Sequence, residues 1–153
     1  MSLKVGDIAP NFSLPSSTGK NISLNDLIGK KIVLYFYPKD DTPGCTKEAC
    51  SFRDKISQFQ KKNVIIYGVS ADSIESHKKF IQKYSLPFPL LSDENKYMLK
   101  TYGVWKEKSF MGKKYLGIER TTVIIDENGI IKNIFDNVKV EKHIEEILTA
   151  LMI

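Results

Sequence analysis

Residues 32–37 read Ile32-Val33-Leu34-Tyr35-Phe36-Tyr37, six apolar or aromatic side chains without a break. A strand with one wet face alternates apolar and polar residues. A short continuous run of β-branched and aromatic residues predicts instead a strand buried on both faces. Residues 64–69 repeat the pattern. Between the two runs, Ala49, Phe52, Ile56 and Phe59 recur three or four apart, which predicts a helix over residues 43–61. Two buried strands joined by a helical crossover run parallel. The chain is thereby confined to sheets that carry helices on their faces.

The rest of the chain fits that frame. Residues 7–14 form an irregular lead-in with a short strand, and residues 21–24 a second one. Ser23 or Asn25 caps a brief helix that Gly29 stops. Ser73 caps a helix reaching Tyr84. Residues 86–91 contain Pro87 and Pro89 and read as a short edge strand, since proline cannot donate to a ladder. Residues 93–102 are a short helix ended by Gly103, and residues 103–117 a loop holding Trp105. Two apolar runs, 121–125 and 130–135, flank Asp126-Glu127-Asn128-Gly129, a strong hairpin signal. A last helix over 140–151 carries Ile144, Ile147, Leu148 and Leu151. The expected fold is α/β of thioredoxin-like type: one domain, residues 1–153, with a mixed central sheet and helices on both faces.

The 23 basic and 18 acidic residues leave a net charge of +5. The lysines come in scattered pairs, and no recognition motif accompanies them, so no nucleic-acid partner is expected. No apolar stretch approaches the ~18 residues of a membrane span, and the first ten residues lack a signal-peptide block. A cytoplasmic setting is expected, and in a reducing compartment paired cysteines are more often chemical than structural.

The two cysteines are Cys45 and Cys50. Cys45 follows the exit of the first buried strand, in the first turn of the next helix. Sites in open α/β sheets lie beyond the carboxyl ends of the strands, and unpaired N–H groups at a helix start stabilise a thiolate. A free thiol is only about 3% thiolate at pH 7, and a helix end supplies about 0.3–2 kcal/mol. Full activation therefore requires a second positive group from elsewhere. Read from the residues alone, the pair is also compatible with two small buried side chains, a zinc site or a dithiol oxidoreductase. Zinc is disfavoured because neither of the two histidines, His77 and His143, is near in sequence. Plain dithiol chemistry is disfavoured because it usually uses Cys-x-x-Cys. Both histidines are expected to be surface or packing residues, and Asp40 and Asp41 to be solvated loop residues.

The segment from Pro38 through Thr42 to Cys45 resembles the peroxiredoxin signature Pro-x-x-x-Thr-x-x-Cys. Residues 117–126, with Arg120, resemble the family's second signature. Cys50 five residues after Cys45, with Glu48 between them, is similar to the Q-type, or bacterioferritin-comigratory, branch. The resemblance implies a thiol-dependent peroxidase that needs no cofactor and no metal. In it, Cys45 attacks a hydroperoxide, Thr42 and the backbone at Gly44 and Cys45 hold the peroxide oxygens, Arg120 stabilises the thiolate and Pro38 excludes water. Glu48 either orients Arg120 or holds the helix start. Cys50 then resolves the sulfenic acid as a disulfide, which thioredoxin or a similar dithiol reduces. The protein is expected to be a monomer. Rival readings are a disulfide reductase acting on proteins and a peroxide sensor or chaperone-like switch.

The implied disulfide carries a geometric demand. Residues five apart in a regular helix have Cα atoms ~8.7 Å apart, beyond the ~7 Å that a disulfide bridges. The first turns, from Cys45 to about Phe52, are expected to unwind in each cycle.

Overall fold

The computed structural model describes residues 3–152. At its centre β3 (Lys31–Phe36) pairs in parallel with β4 (Val64–Ser70), which pairs in parallel with β5 (Leu90–Ser92). On the other side of β3, β8 (Thr121–Ile125) runs antiparallel and is followed by antiparallel β9 (Ile131–Phe135). The sheet order is β5-β4-β3-β8-β9, the mixed sheet expected, and β3 is buried on both faces as its composition requires.

Alternation along β3 divides the core. Ile32, Leu34 and Phe36 face a cluster with Phe12, Leu99 and Tyr102. On this side lie the short hairpin β1 (Ser13–Pro15) with β2 (Asn21–Ser23), a 3-10 turn at Leu24–Leu27 and α4 (Tyr97–Thr101). Val33, Tyr35 and Tyr37 face the opposite cluster. There α1 (Pro43–Asp54), α2 (Ile56–Lys61), α3 (Ile74–Tyr84) and α5 (His143–Leu151) contribute Ala49, Phe52, Phe59, Phe80, Ile144 and Ile147. Helices therefore cover both faces, the longer ones all on one.

Three expectations change. The helix expected over 43–61 breaks at Lys55, whose backbone lies at φ −111°, ψ 12°; no proline or glycine announces the bend. The edge strand starts after Pro89 rather than at Leu86. The loop expected over 103–117 is a hairpin, β6 (Trp105–Phe110) with β7 (Lys113–Ile118). Its turn places both Met111 and Gly112 at positive φ, 51° and 79°, the backbone of a type I′ hairpin turn. Ser73 caps α3 as expected, its hydroxyl accepting from the Ser76 N–H at 3.1 Å.

Candidate active site

The carboxyl ends of β3, β4 and β5 lie side by side, and the loop leaving β3 feeds directly into α1. Thr42 is the extended N-cap residue of α1, and Pro43 follows at the first helical position, where its missing N–H costs nothing. The Thr42 hydroxyl does not cap the helix. It donates to the Lys39 carbonyl at 2.9 Å, which leaves its lone pairs free to accept. Gly44 and Cys45 occupy the first turn, whose N–H groups have no partner within the helix.

Cys45 is buried. Its Sγ accepts a hydrogen bond from Arg120 Nη2 at 3.3 Å, and Arg120 Nη1 donates to Glu48 Oε1 at 2.6 Å. Glu48 stands three positions after Cys45, so both project from one face of α1 and a single guanidinium reaches the two. Arg120 comes from the short connection between β7 and β8. A Cβ on Gly44 would stand 3.1 Å from Nη2, so glycine at this position lets the guanidinium approach the helix start.

Glu48 is enclosed. Burial pushes its carboxyl up from the ordinary 4.5 to about 7, against the opposing pull of Arg120. Its Oε2 has no partner among the described residues. Burial also disfavours charge on Arg120, but Glu48 and Cys45 more than offset that and hold it protonated. Beneath the helix Tyr35 stacks on Phe52 at 4.6 Å between ring centroids. Phe52 in turn meets Phe59 and Phe88.

The structure thus brings Cys45, Arg120, Glu48 and Gly44 together, with Thr42 and half-buried Pro38 on the adjoining loop. Cys50 lies farther along α1, half-buried, and both thiols are free.

The expectation of a solvated loop holds for Asp41 and fails for Asp40. Asp40 is buried, not solvated. Its carboxylate accepts from the Tyr37 hydroxyl at 2.5 Å and the Ser76 hydroxyl at 2.8 Å, and faces His77 Nδ1 at 2.7 Å. Asp41 is exposed but tied, accepting from Lys83 Nζ and the Tyr84 hydroxyl, both at 2.8 Å. Its φ of +57° is a conformation that aspartate tolerates better than most residues. His77 and His143 are buried packing residues with polar partners: His77 meets Asp40 and the Leu91 carbonyl, and His143 meets Thr122. Asp40, Asp72 and His77 offer ligand atoms within 4.8 Å of one another. No spacing in the sequence marks this group, because it is assembled only when parallel β3 and β4 bring their ends together with the start of α3.

The model of the AhpC/TSA family matches residues 5–134. The putative peroxiredoxin bcp of Coxiella burnetii is 54% identical over 151 residues, covering 99% of this chain and 100% of the relative. A solved cysteine variant of Xylella fastidiosa PrxQ superposes with a TM-score of 0.94 at 36% identity, covering 99% of this chain and 97% of that one. Xanthomonas campestris bacterioferritin comigratory protein, solved in work on its alkyl peroxide reduction activity, gives 0.88 at 39% identity over 92% of this chain and 90% of its own. On these matches the chain belongs to the AhpC/TSA family, among the Bcp, or PrxQ-type, peroxiredoxins.

Proposed function

We propose that this chain is a thiol peroxidase that reduces hydrogen peroxide and organic hydroperoxides, with Cys45 as the attacking thiolate. The observation that carries this reading is the fork of Arg120 onto Cys45 Sγ and Glu48, placed at the N-terminus of α1. It supplies the second positive group that a helix end alone lacks. The thiolate attacks the near peroxide oxygen in line, forming an S–O bond as the O–O bond breaks. The departing alkoxide takes a proton, leaving Cys45 as a sulfenic acid. Arg120 and the first-turn N–H groups face the charge that develops, the Thr42 hydroxyl accepts from the peroxide, and Pro38 shields the loop from water.

Cys50 then attacks the sulfenic sulfur, and water leaves as the Cys45–Cys50 disulfide forms. Both cysteines lie in the continuous helix α1, so this step requires its first turns to open. Phe52 is fully buried among aromatic rings, which favours an opening that stops short of it. A thioredoxin-like dithiol returns the pair to thiols by exchange. The chain acts as a single-domain monomer in the cytoplasm and needs no metal or bound cofactor. No helix among the described residues is long and apolar enough to cross a membrane.

Peroxide consumption coupled to thioredoxin, thioredoxin reductase and NADPH tests the reading. Wild type turns over, Cys45→Ser is inert, and Cys50→Ser gives one turnover and stalls as sulfenic acid. A wild type no more active than Cys45→Ser would sink it.

A further inference from the structure

The loop that carries Thr42 is fastened almost entirely to elements outside the Cys45 site. Its backbone N–H at Asp40 donates to Asp72 Oδ2 at 2.9 Å, beyond the end of β4. Ser70 donates to the same oxygen at 2.7 Å, so Asp72 is itself held. The Asp40 side chain is seated on α3 through Ser76 and His77. His77 has no exposure, and its Nε2 faces the Leu91 carbonyl in β5 at 2.9 Å. A carbonyl only accepts, so Nε2 carries a hydrogen. One further proton must then lie between Nδ1 and Asp40 Oδ2, whichever atom holds it. A single imidazole therefore locks the loop to the ends of two elements at once.

We propose that Asp40 and His77 are positioning residues for the peroxide step. Their buried contact fixes residues 38–42, and with them Thr42 and the first turn of α1, against α3 and β5. The inference rests on the peroxidase reading above. Neither residue touches Cys45; each acts through the loop. Peroxide cleavage needs the thiolate, the Thr42 oxygen and the guanidinium in one geometry, and displacements of about 1 Å can cost about 10²-fold.

The same side chains could be read as a cation site, since their ligand atoms converge. Against this, the facing atoms are already engaged: Nδ1 lies 2.7 Å from Oδ2, and Asp72 Oδ2 accepts two hydrogen bonds.

The test uses the full chain carrying Cys50→Ser, so that the sulfenic acid accumulates. Its rate of formation with hydrogen peroxide is measured by dimedone trapping and mass spectrometry. Two further substitutions separate the bonds of His77. In His77→Asn the amide replaces Nδ1 and keeps the link to Asp40. In His77→Gln it replaces Nε2 and keeps only the link to Leu91. The expected result is a fall of about 10²-fold for His77→Gln but within about tenfold of the parent for His77→Asn. A role confined to filling the core predicts no such order.

Equal rates for the two variants, or a His77→Gln at the parental rate, would overturn the inference while leaving the peroxidase reading intact. A parent that forms no sulfenic acid would overturn both. Loss of the parental rate in EDTA with recovery in zinc would replace positioning with a metal role. Should either variant fail to fold by circular dichroism, Ser76→Ala removes another Asp40 contact at a half-buried position. It is expected to slow the step by about two- to tenfold, and an unchanged rate would overturn the inference.

Discussion

The two flanks of α1 are held in opposite ways. On the loop side the Asp40–His77 contact is shut away from water, and it joins Tyr37, Ser76 and Asp72 in one network. On the α5 side Lys47 of α1 pairs at 3.5 Å with Glu141, which lies in the turn before α5, and both side chains are mostly exposed. Such a pair contributes about 0–1 kcal/mol, and a groove lined by Lys47, Ser51, Val140 and Ile144 separates the helices there. The difference matches two demands of the proposed cycle. Cleaving a peroxide requires a fixed geometry around Cys45, whereas joining Cys45 to Cys50 requires the same helix to open. Phe52 marks where the opening has to stop.

Four substitutions sharpen or break this contrast. Phe52→Ala removes the anchor at the far end of the opening segment and is expected to cost about 3–5 kcal/mol, read by urea unfolding; a loss below 1 kcal/mol would mean that Phe52 anchors nothing. Arg120→Lys keeps the charge but loses the planar fork that serves Cys45 and Glu48 together. The rate of Cys45 with peroxide is expected to drop about 10²–10³-fold in single-turnover measurements, and a drop under threefold would show that charge alone suffices.

Glu48→Gln tests the buried carboxyl. Its folded-state value of about 7 lies above the ordinary 4.5, so the folded protein holds a proton that the unfolded chain releases. That stabilisation is complete below pH 4.5 and is lost as pH rises through 7. Wild type should therefore lose up to about 3 kcal/mol relative to Glu48→Gln across that window; parallel pH profiles would contradict it. Lys47→Ala is the smallest change, expected to lower stability by less than about 1 kcal/mol. A larger loss would show that the α5 flank is as firmly held as the loop.

Local signals made much of the fold legible. The unbroken runs at β3 and β4 declared central strands, the Asn128-Gly129 pair declared the β8–β9 hairpin, and Ser73 declared the start of α3. Hairpin β6–β7 was hidden because lysine and glutamate on β6 and paired lysines on β7 interrupt alternation and because its turn is built on Met111-Gly112 rather than Asn-Gly. The break at Lys55 carries no local marker. Within the site, Cys45 is marked by its place after the first buried strand, whereas Thr42 and Arg120 were found by resemblance to signatures, since nothing local in the sequence tells Arg120 from a surface cation. Asp40 and His77 stand 37 residues apart and meet only because parallel strands bring their ends together. Acidic residues after a strand look like solvated loop until that packing is known.

In the proposed cycle α1 is intact when Cys45 meets peroxide and opens at its start to reach Cys50. Amide hydrogen exchange on the reduced protein and on the peroxide-treated, disulfide-bonded protein tests it most directly. Amides from Cys45 to Ser51 are expected to lose protection on oxidation, while those of Phe52, β3 and α3 keep theirs. Identical protection along α1 in the two states, with the Cys45–Cys50 disulfide confirmed by mass spectrometry, would contradict it.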